Sequence, residues 1–359
     1  KSKGGGWRDL GKVVTYVDDD INTGRLENVI EFLMAVNRQW ETSQPEVIVS
    51  DKDRERLGEE RVAALLTMAG AKEVEVIKFF GMEITKYRHG CVRGYKLSQE
   101  SYTKNLMFKY GMESCNSCPV VLPPDECEGP VTEMSEEHKA GMVKEAQKVV
   151  GELIWLTRTR FDATYAMQRT AQEASKDPER ALRMAKIILR YLVATQGVGL
   201  IYRDKIAAQE REKMFGDGRK TVAGYSDASF APKGGKSQSC FLVLWHGDPV
   251  FLKTMMQTFV TLSAAECELV AACDGWVAVQ SVSVIIEELR EFVVTKSLHV
   301  DNAAAISIGG SSNNIHWRTR HLRVRAAAMH EAVEEKWLHL LKVPGRRQLA
   351  DVGTKALGQ

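Results

Sequence analysis

Apolar and polar residues change their spacing several times along this chain, and the changes mark its elements. Lys12–Val17 is a β-type run that reaches Asp18-Asp19-Asp20. From Leu26 to Trp40, Leu26, Val29, Ile30, Leu33, Met34 and Val36 recur at helical spacing. Residues 41–72 are rich in charge, and Asp51–Arg56 leads into a helical stretch that ends at Met68-Ala-Gly70. Val74–Ile84 alternates like a strand, with Cys91–Leu97 as its hairpin mate around Gly90. Ser98 is placed to cap a helix through Tyr110, which Gly111 would end. Prolines and cysteines make 112–134 an irregular linker, followed by helices over 135–157 and 162–174. Asp177-Pro178 supplies an N-cap and an N1 proline for a third helix to about Thr195. Polar residues then dominate from Ile201 to Lys220, which puts the domain boundary between 1–215 and 216–359.

Beyond the boundary the order read is β-β-β-α-β-α-α-β-α. Strand 221–230 is followed by 240–245 and 249–253, paired across Gly247-Asp248. A long helix runs from Ser263 to Arg290, then strand 297–300, a short helix from Ala303, a helix near 321–335, strand 337–343 and a final helix from Arg347. A meander followed by alternating helices and strands predicts a mixed sheet covered by helices, in the α/β (α+β) class.

Composition narrows the setting. The 359 residues are 44% hydrophobic and 27% charged, with a net charge of +2. Nucleic-acid binding would therefore depend on local basic patches. The first residues, Lys1–Gly6, have no apolar core of a leader, and no apolar run suggests a bilayer span, so no membrane partner is expected. Seven irregularly spaced cysteines fit a reducing compartment, cytoplasmic or nuclear, rather than secretion. Cys115-x-x-Cys118 with Cys127 and His138 lacks the second Cys pair of a zinc site. No Gly-rich phosphate loop and no Ser/His/Asp arrangement stands out.

Chemistry gathers in the C-terminal half. Asp227 sits in a predicted strand, Glu266 and Glu268 at the start of the long helix, Asp301 after a strand, and Asp351 in the final helical segment. A buried carboxylate needs a cation or donors, and carboxylates rather than His or Cys suit hard, octahedral Mg²⁺. Each acid alone is ordinarily a solvated side chain. Asp351 could simply complement a helix terminus.

Gly224–Ser229, Leu262–Ala271, Val300–Asn302, Arg318–His321 and Gln348–Lys355 resemble the ribonuclease H domain of Ty1/copia-type retrotransposon Pol polyproteins. Tyr16-Val-Asp-Asp19 resembles the palm motif of that family's reverse transcriptase. Phe79–Ile84, Leu97–Tyr102 and Ile187–Leu192 resemble its thumb and connection segments, with an inserted-looking stretch near 50–72. The resemblance implies a ribonuclease H-like mixed five-stranded sheet with flanking helices, preceded by a truncated palm, thumb and connection region. It also implies that Asp227, Glu268, Asp301 and Asp351 are catalytic metal ligands for two Mg²⁺ ions, with Mn²⁺ also compatible. Asp227 would bridge the ions, Glu268 and Asp301 would hold one, and Asp351 would help hold the other. Glu268 is favoured over Glu266 because Glu-Leu-Val-Ala-Ala follows the family pattern. The implied reaction is endonucleolytic cleavage of the RNA strand of an RNA–DNA hybrid, leaving a 5′-phosphate and a 3′-hydroxyl.

Asp18 and Asp19 are the palm remnant. The other palm carboxylate lies upstream of this motif in the family, outside this sequence, and no polymerase activity is expected from this chain alone. Arg318, Arg320, His321, Arg323 and Arg325, interleaved with Trp317, form the candidate nucleic-acid contact. A second basic face, Arg180, Arg183, Lys186 and Arg190, reads equally as a phosphate track or a solvated surface. The chain departs from the family at Cys240, where a glycine is usual, at Ala326–Ala328, where a His-bearing helix is usual, and at Arg323, where Asp is common. These departures motivate the rival reading, a nucleic-acid-binding remnant that no longer cuts. The remainder of a Pol polyprotein is the other expected partner.

Overall fold

The computed structural model describes residues 11–16, 19–203, 221–232, 234–290, 292–310 and 323–356. They form two compact units, Lys1–Ser98 and Gln99–Gln359. The boundary expected at 215/216 lies outside the described residues.

In the first unit, β1 (Gly11–Tyr16) pairs antiparallel with β2 (Asp19–Gly24), so Tyr16 stands opposite Asp19. Asp18 lies outside the described residues. Asp20, a polar residue where the family prefers an apolar one, accepts a hydrogen bond from the Thr15 hydroxyl across the hairpin. Helix α1 (Leu26–Asn37), β3 (Glu46–Val47), α2 (Asp51–Leu57), α3 (Glu59–Met68) and β4 (Lys72–Glu73) share one core. Leu26 and Ile30 of α1 meet Val62, Leu65 and Leu66 of α3 there, each side chain contributing roughly 1.5–3 kcal/mol of burial. The inserted-looking stretch is thus structural: it carries half of the unit's core. Ser50 caps α2 by accepting from the Asp53 amide at 3.1 Å. A meander follows, β5 (Val76–Phe79), β6 (Met82–His89) and β7 (Val92–Ser98). The single strand expected over Val74–Ile84 is therefore two, because Phe80 and Gly81 take φ of 51° and 69° and reverse the chain.

The second unit opens with α4 (Glu100–Lys109). Ser98 does not cap it, because it is the last residue of β7, and Gln99 at the cap position makes no side-chain cap bond. Gln99 instead donates to the Trp155 carbonyl and accepts from the Thr159 hydroxyl. Helices α5 (Glu136–Trp155), α6 (Thr164–Glu173) and α7 (Pro178–Thr195) complete a helical layer over Leu153, Met167, Met184 and Ile188. Asp177 caps α7 through the Arg180 amide at 3.0 Å, with Pro178 at its start, as the sequence predicts. Arg180 is not part of a solvated track. It is buried, donating to the Gly129 and Pro130 carbonyls and pairing with Asp177.

After β8 (Leu200–Arg203) comes a five-stranded sheet of β9 (Thr221–Ser229), β10 (Gln238–Trp245), β11 (Asp248–Met256), β12 (Thr295–Val300) and β13 (His339–Lys342). The order is β11-β10-β9-β12-β13, antiparallel through β9 and parallel beyond it. This is the mixed five-stranded sheet with flanking helices that the sequence implies. The β10–β11 turn is His246-Gly247, both at positive φ, and Asp248 already pairs with Trp245. Helix α8 (Ala264–Arg290) lies across the sheet, with α9 (Ala303–Gly310) and α10 (Arg323–Glu334) beside it. Contrary to the sequence expectation, α8 is long and apolar enough to cross a bilayer by length and composition. Its apolar content has another use, since Leu269, Ala272, Ala278 and Val279 are buried in the two cores beneath it. Close contact requires Gly224 on β9, where a Cβ would lie 2.4 Å from the Val279 side chain. The final helix expected from Arg347 is two short 3-10 turns, Gly345–Arg347 and Leu349–Gly353.

Candidate metal centre

The central strand β9 brings Asp227 into the sheet's interior, where it is 2% exposed and opposite Cys240 in register. Helix α8 crosses above it and delivers Glu268 from its first turns. Asp301 follows the last residue of β12, the parallel neighbour of β9. One oxygen from each of Asp227, Glu268 and Asp301 lies within 4.8 Å of the other two, a spacing that one cation can span.

Glu266 is directed elsewhere. Its carboxylate accepts from the Leu262 amide at 2.7 Å, while its own amide donates to the Ser263 hydroxyl at 3.2 Å. The pair is a reciprocal cap in the manner of a capping box. The two glutamates differ by two positions, or about 200° around a helix, so one caps α8 while the other enters the cluster. Glu268 Oε2 is buried with no hydrogen-bond partner. An unpartnered buried carboxylate oxygen beside two further acids is costly unless a cation or a proton is supplied.

The energetics agree with the geometry. Burial, then the charges of Asp227 and Asp301, pushes the Glu268 carboxyl up to about 8. Burial pushes Asp227 up to about 6, against the opposing help of the Thr354 hydroxyl and the Lys355 ammonium. Asp301 is raised too, by burial and then by the charge of Asp351. Like charges held together in a low-dielectric site resist ionising together, and a divalent cation removes the conflict.

Asp351 sits on the Leu349–Gly353 turn at the edge of the cluster. It is not within the three-acid group, and its Oδ1 receives the Lys355 ammonium at 2.7 Å. The same ammonium lies 4.0 Å from Asp227 Oδ2, and the Thr354 hydroxyl donates to that oxygen. Gln348 pins the turn to β9 by donating to the Ser226 carbonyl at 2.9 Å. Sequence reading assigned only Asp351 in this segment. Thr354 and Lys355 stood in the same motif, three and four residues on, where a helical turn returns a side chain to the same face.

Of the predicted nucleic-acid contacts, Arg318, Arg320 and His321 lie outside the described residues. Arg323 is exposed at the start of α10. Arg325 is half-buried, with its guanidinium 4.8 Å from the Phe259 ring. Ala326, where the family carries a His-bearing helix, is fully buried with Met329 and Ala332. Cys240 is accommodated by Gly353, since a Cβ there would lie 2.3 Å from the Cys240 sulfur.

Long stretches of the chain are similar in sequence to known proteins. A Pol polyprotein of transposon TNT 1-94 from Nicotiana tabacum is 27% identical over 291 residues, 78% of this chain and 20% of that protein. A Ty1 Gag-Pol polyprotein from Saccharomyces cerevisiae is 27% identical over 227 residues, 63% of this chain and 12% of that protein. The chain's homologues are Ty1/copia-type Gag-Pol polyproteins. It spans a fifth or less of the length of these curated relatives. No protein-family model matches the chain. Among solved structures, the N-terminal ribonuclease H domain of a Mycobacterium tuberculosis protein, fused to maltose-binding protein, aligns with 15% identity and a TM-score of 0.28. That alignment covers 36% of this chain and 88% of the other.

Proposed function

We propose that the chain is a C-terminal part of a retrotransposon Pol polyprotein, a truncated reverse-transcriptase region followed by a ribonuclease H region that cleaves the RNA strand of RNA–DNA hybrids with the help of divalent cations. The observation that carries this reading is the convergence of Asp227, Glu268 and Asp301 within 4.8 Å, with one glutamate oxygen buried and unpartnered. An all-carboxylate donor set fits Mg²⁺ or Mn²⁺ and suits neither zinc nor copper. Bound there, such ions would supply a nucleophilic water at neutral pH and stabilise the leaving oxygen.

The chain's own residues do the rest. Asp227, Glu268 and Asp301 would hold the ion on the trio side, and Asp351 would contribute from the edge. Thr354 orients Asp227 through its hydroxyl. Lys355 neutralises the Asp351 side of the site. The exposed Arg323, with Arg318, Arg320, His321 and Arg325, is the proposed phosphate-contacting surface, positioning the duplex without reading its sequence. Asp18 and Asp19 are proposed as residues of a reverse-transcriptase palm motif. A reducing compartment and the remainder of a Pol polyprotein are the proposed setting and partner.

The decisive test is cleavage of an end-labelled RNA–DNA hybrid with Mg²⁺, Mn²⁺ or chelator, beside Asp227→Asn. Cleavage that needs metal and falls by at least a thousandfold in the variant is expected. Salt-sensitive hybrid binding without cutting under both metals would overturn the reading in favour of a silent remnant, which Cys240 and Ala326–Ala328 motivate.

A further inference from the structure

The strip of chain that carries Asp351 and Thr354 is held from two sides. On one side is the sheet. On the other is the helical layer that precedes it in sequence, and the contacts between that layer and the strip are specific. Phe161, in the short 3-10 turn Phe161–Ala163 before α6, packs into the cluster of Tyr225, Leu242, Val343 and Ala350. Its neighbours hold it there. Arg160, 1% exposed, donates to both carboxylate oxygens of Asp162, at 3.0 and 2.7 Å, and to the Thr195 carbonyl at 3.0 Å. Tyr191 of α7 donates to the same aspartate at 2.8 Å.

A second connection runs through amides. Gln172 of α6 donates its Nε2 to Gln238 Oε1 at 3.3 Å. Gln238, on β10 and 1% exposed, donates its own Nε2 to the Gly353 carbonyl at 3.4 Å. Gly353 precedes Thr354, whose hydroxyl reaches Asp227. Gln238 therefore uses one end of its side chain on the helical layer and the other on the turn beside the acids. A buried primary amide with both ends engaged has one orientation available.

We propose that α6 and the Phe161 turn are a positioning layer for the metal centre, acting through Gln238 and Phe161 on the Leu349–Gly353 turn. Gln172, Gln238 and Phe161 are positioning residues: they set where Asp351 and Thr354 stand, and they do not touch the ion. The proposal rests on the ribonuclease reading for its catalytic meaning, and its structural part stands without it. Two restraints from outside the sheet explain how a turn of 3-10 hydrogen bonds, with no long helix behind it, can hold a carboxylate at the edge of an ion site.

The test uses the full chain with Gln172→Ala, whose side chain is only half-buried, and Phe161→Leu as a second, smaller apolar variant. Amide hydrogen exchange is read at 349–355 and, as the internal reference, in β9 and β12. Mn²⁺ affinity is read by calorimetry. Exchange at 349–355 is expected to accelerate at least tenfold with the reference strands unchanged, and Mn²⁺ to bind several-fold more weakly, with the urea midpoint unaltered in Gln172→Ala. Gln172→Glu, which can no longer donate to Gln238 Oε1, should behave like the alanine variant. Unchanged exchange at 349–355 in both alanine and leucine variants would overturn the proposal, as would acceleration spread evenly over the sheet. If the parent chain binds no Mn²⁺, the ribonuclease reading fails, while the exchange arm still decides the positioning role.

Discussion

Glu266 and Glu268 are chemically identical and two residues apart, yet they should respond to substitution in opposite ways. Glu266→Ala removes the bond to the Leu262 amide and should cost about 1 kcal/mol, the usual worth of a helix cap, while leaving Mn²⁺ affinity unchanged. Glu268→Gln removes a buried carboxyl that must take up a proton on folding, and should stabilise the metal-free protein at neutral pH while reducing Mn²⁺ affinity at least tenfold. Urea unfolding and calorimetry on the two variants separate the roles. The same raised carboxyls set a pH dependence. Glu268, at about 8, and Asp227, at about 6, keep protons in the folded chain that the unfolded chain has released. Metal-free stability should therefore be greatest below about pH 4 as far as these groups are concerned, and fall as pH rises toward 8, by on the order of a few kcal/mol. Urea midpoints between about pH 5 and pH 8 check this, and Glu268→Gln should flatten most of the slope. Saturating Mn²⁺ should reverse it, because the ion binds the deprotonated acids.

Among the elements, the Leu349–Gly353 turn and β10 are fitted to one another through Gly353. Any side chain there would run into Thr254 Oγ1 at 2.2 Å and Cys240 Sγ at 2.3 Å. Gly353→Ala should cost about 1–3 kcal/mol by overpacking, and should weaken Mn²⁺ binding because the turn carries Asp351. Removing the sulfur contact with Cys240→Gly should rescue part of the loss in Gly353→Ala, the Thr254 contact remaining, and a double-mutant cycle reads that coupling directly. Sequence patterning located most of these elements because their periods were strong. The α7 N-cap, the β10–β11 hairpin and the long helix α8 each had a local signal. The failures were also local. Phe80-Gly81 reverses the chain inside an alternating run whose apolar pattern continues across the turn. The helix expected from Arg347 is instead a pair of 3-10 turns, which Gln348 pins to β9 through the Ser226 carbonyl.

For the whole molecule, net charge is only +2, so duplex affinity should come from local arginines and decline steeply with salt. Arg323→Ala with Arg325→Ala should reduce the slope of log affinity against log salt by about 1–2 and leave the metal dependence of cleavage intact. Filter binding from about 50 to 200 mM salt measures it. Arg325 should contribute less than Arg323, since its guanidinium already rests on Phe259.

The residue types and their order were enough to mark out the candidate carboxylates, on a strand, a helix start, a strand end and a final turn, in a chain whose relatives are Ty1/copia-type polyproteins. Composition and periodicity also determined the sheet and most helices, because burial of apolar faces is encoded by local spacing. Tertiary structure alone decided that Glu266 turns back to cap its own helix, that Arg180 turns inward, and that Asp351 stands apart on a lysine while Asp227, Glu268 and Asp301 converge. It also decided that stretch 50–72 builds a core and that Gln172 and Gln238 connect α6 to the Gly353 carbonyl. The reason is common to all of these. Distances between side chains far apart in sequence depend on register, helix phase and close packing, which no local spacing specifies.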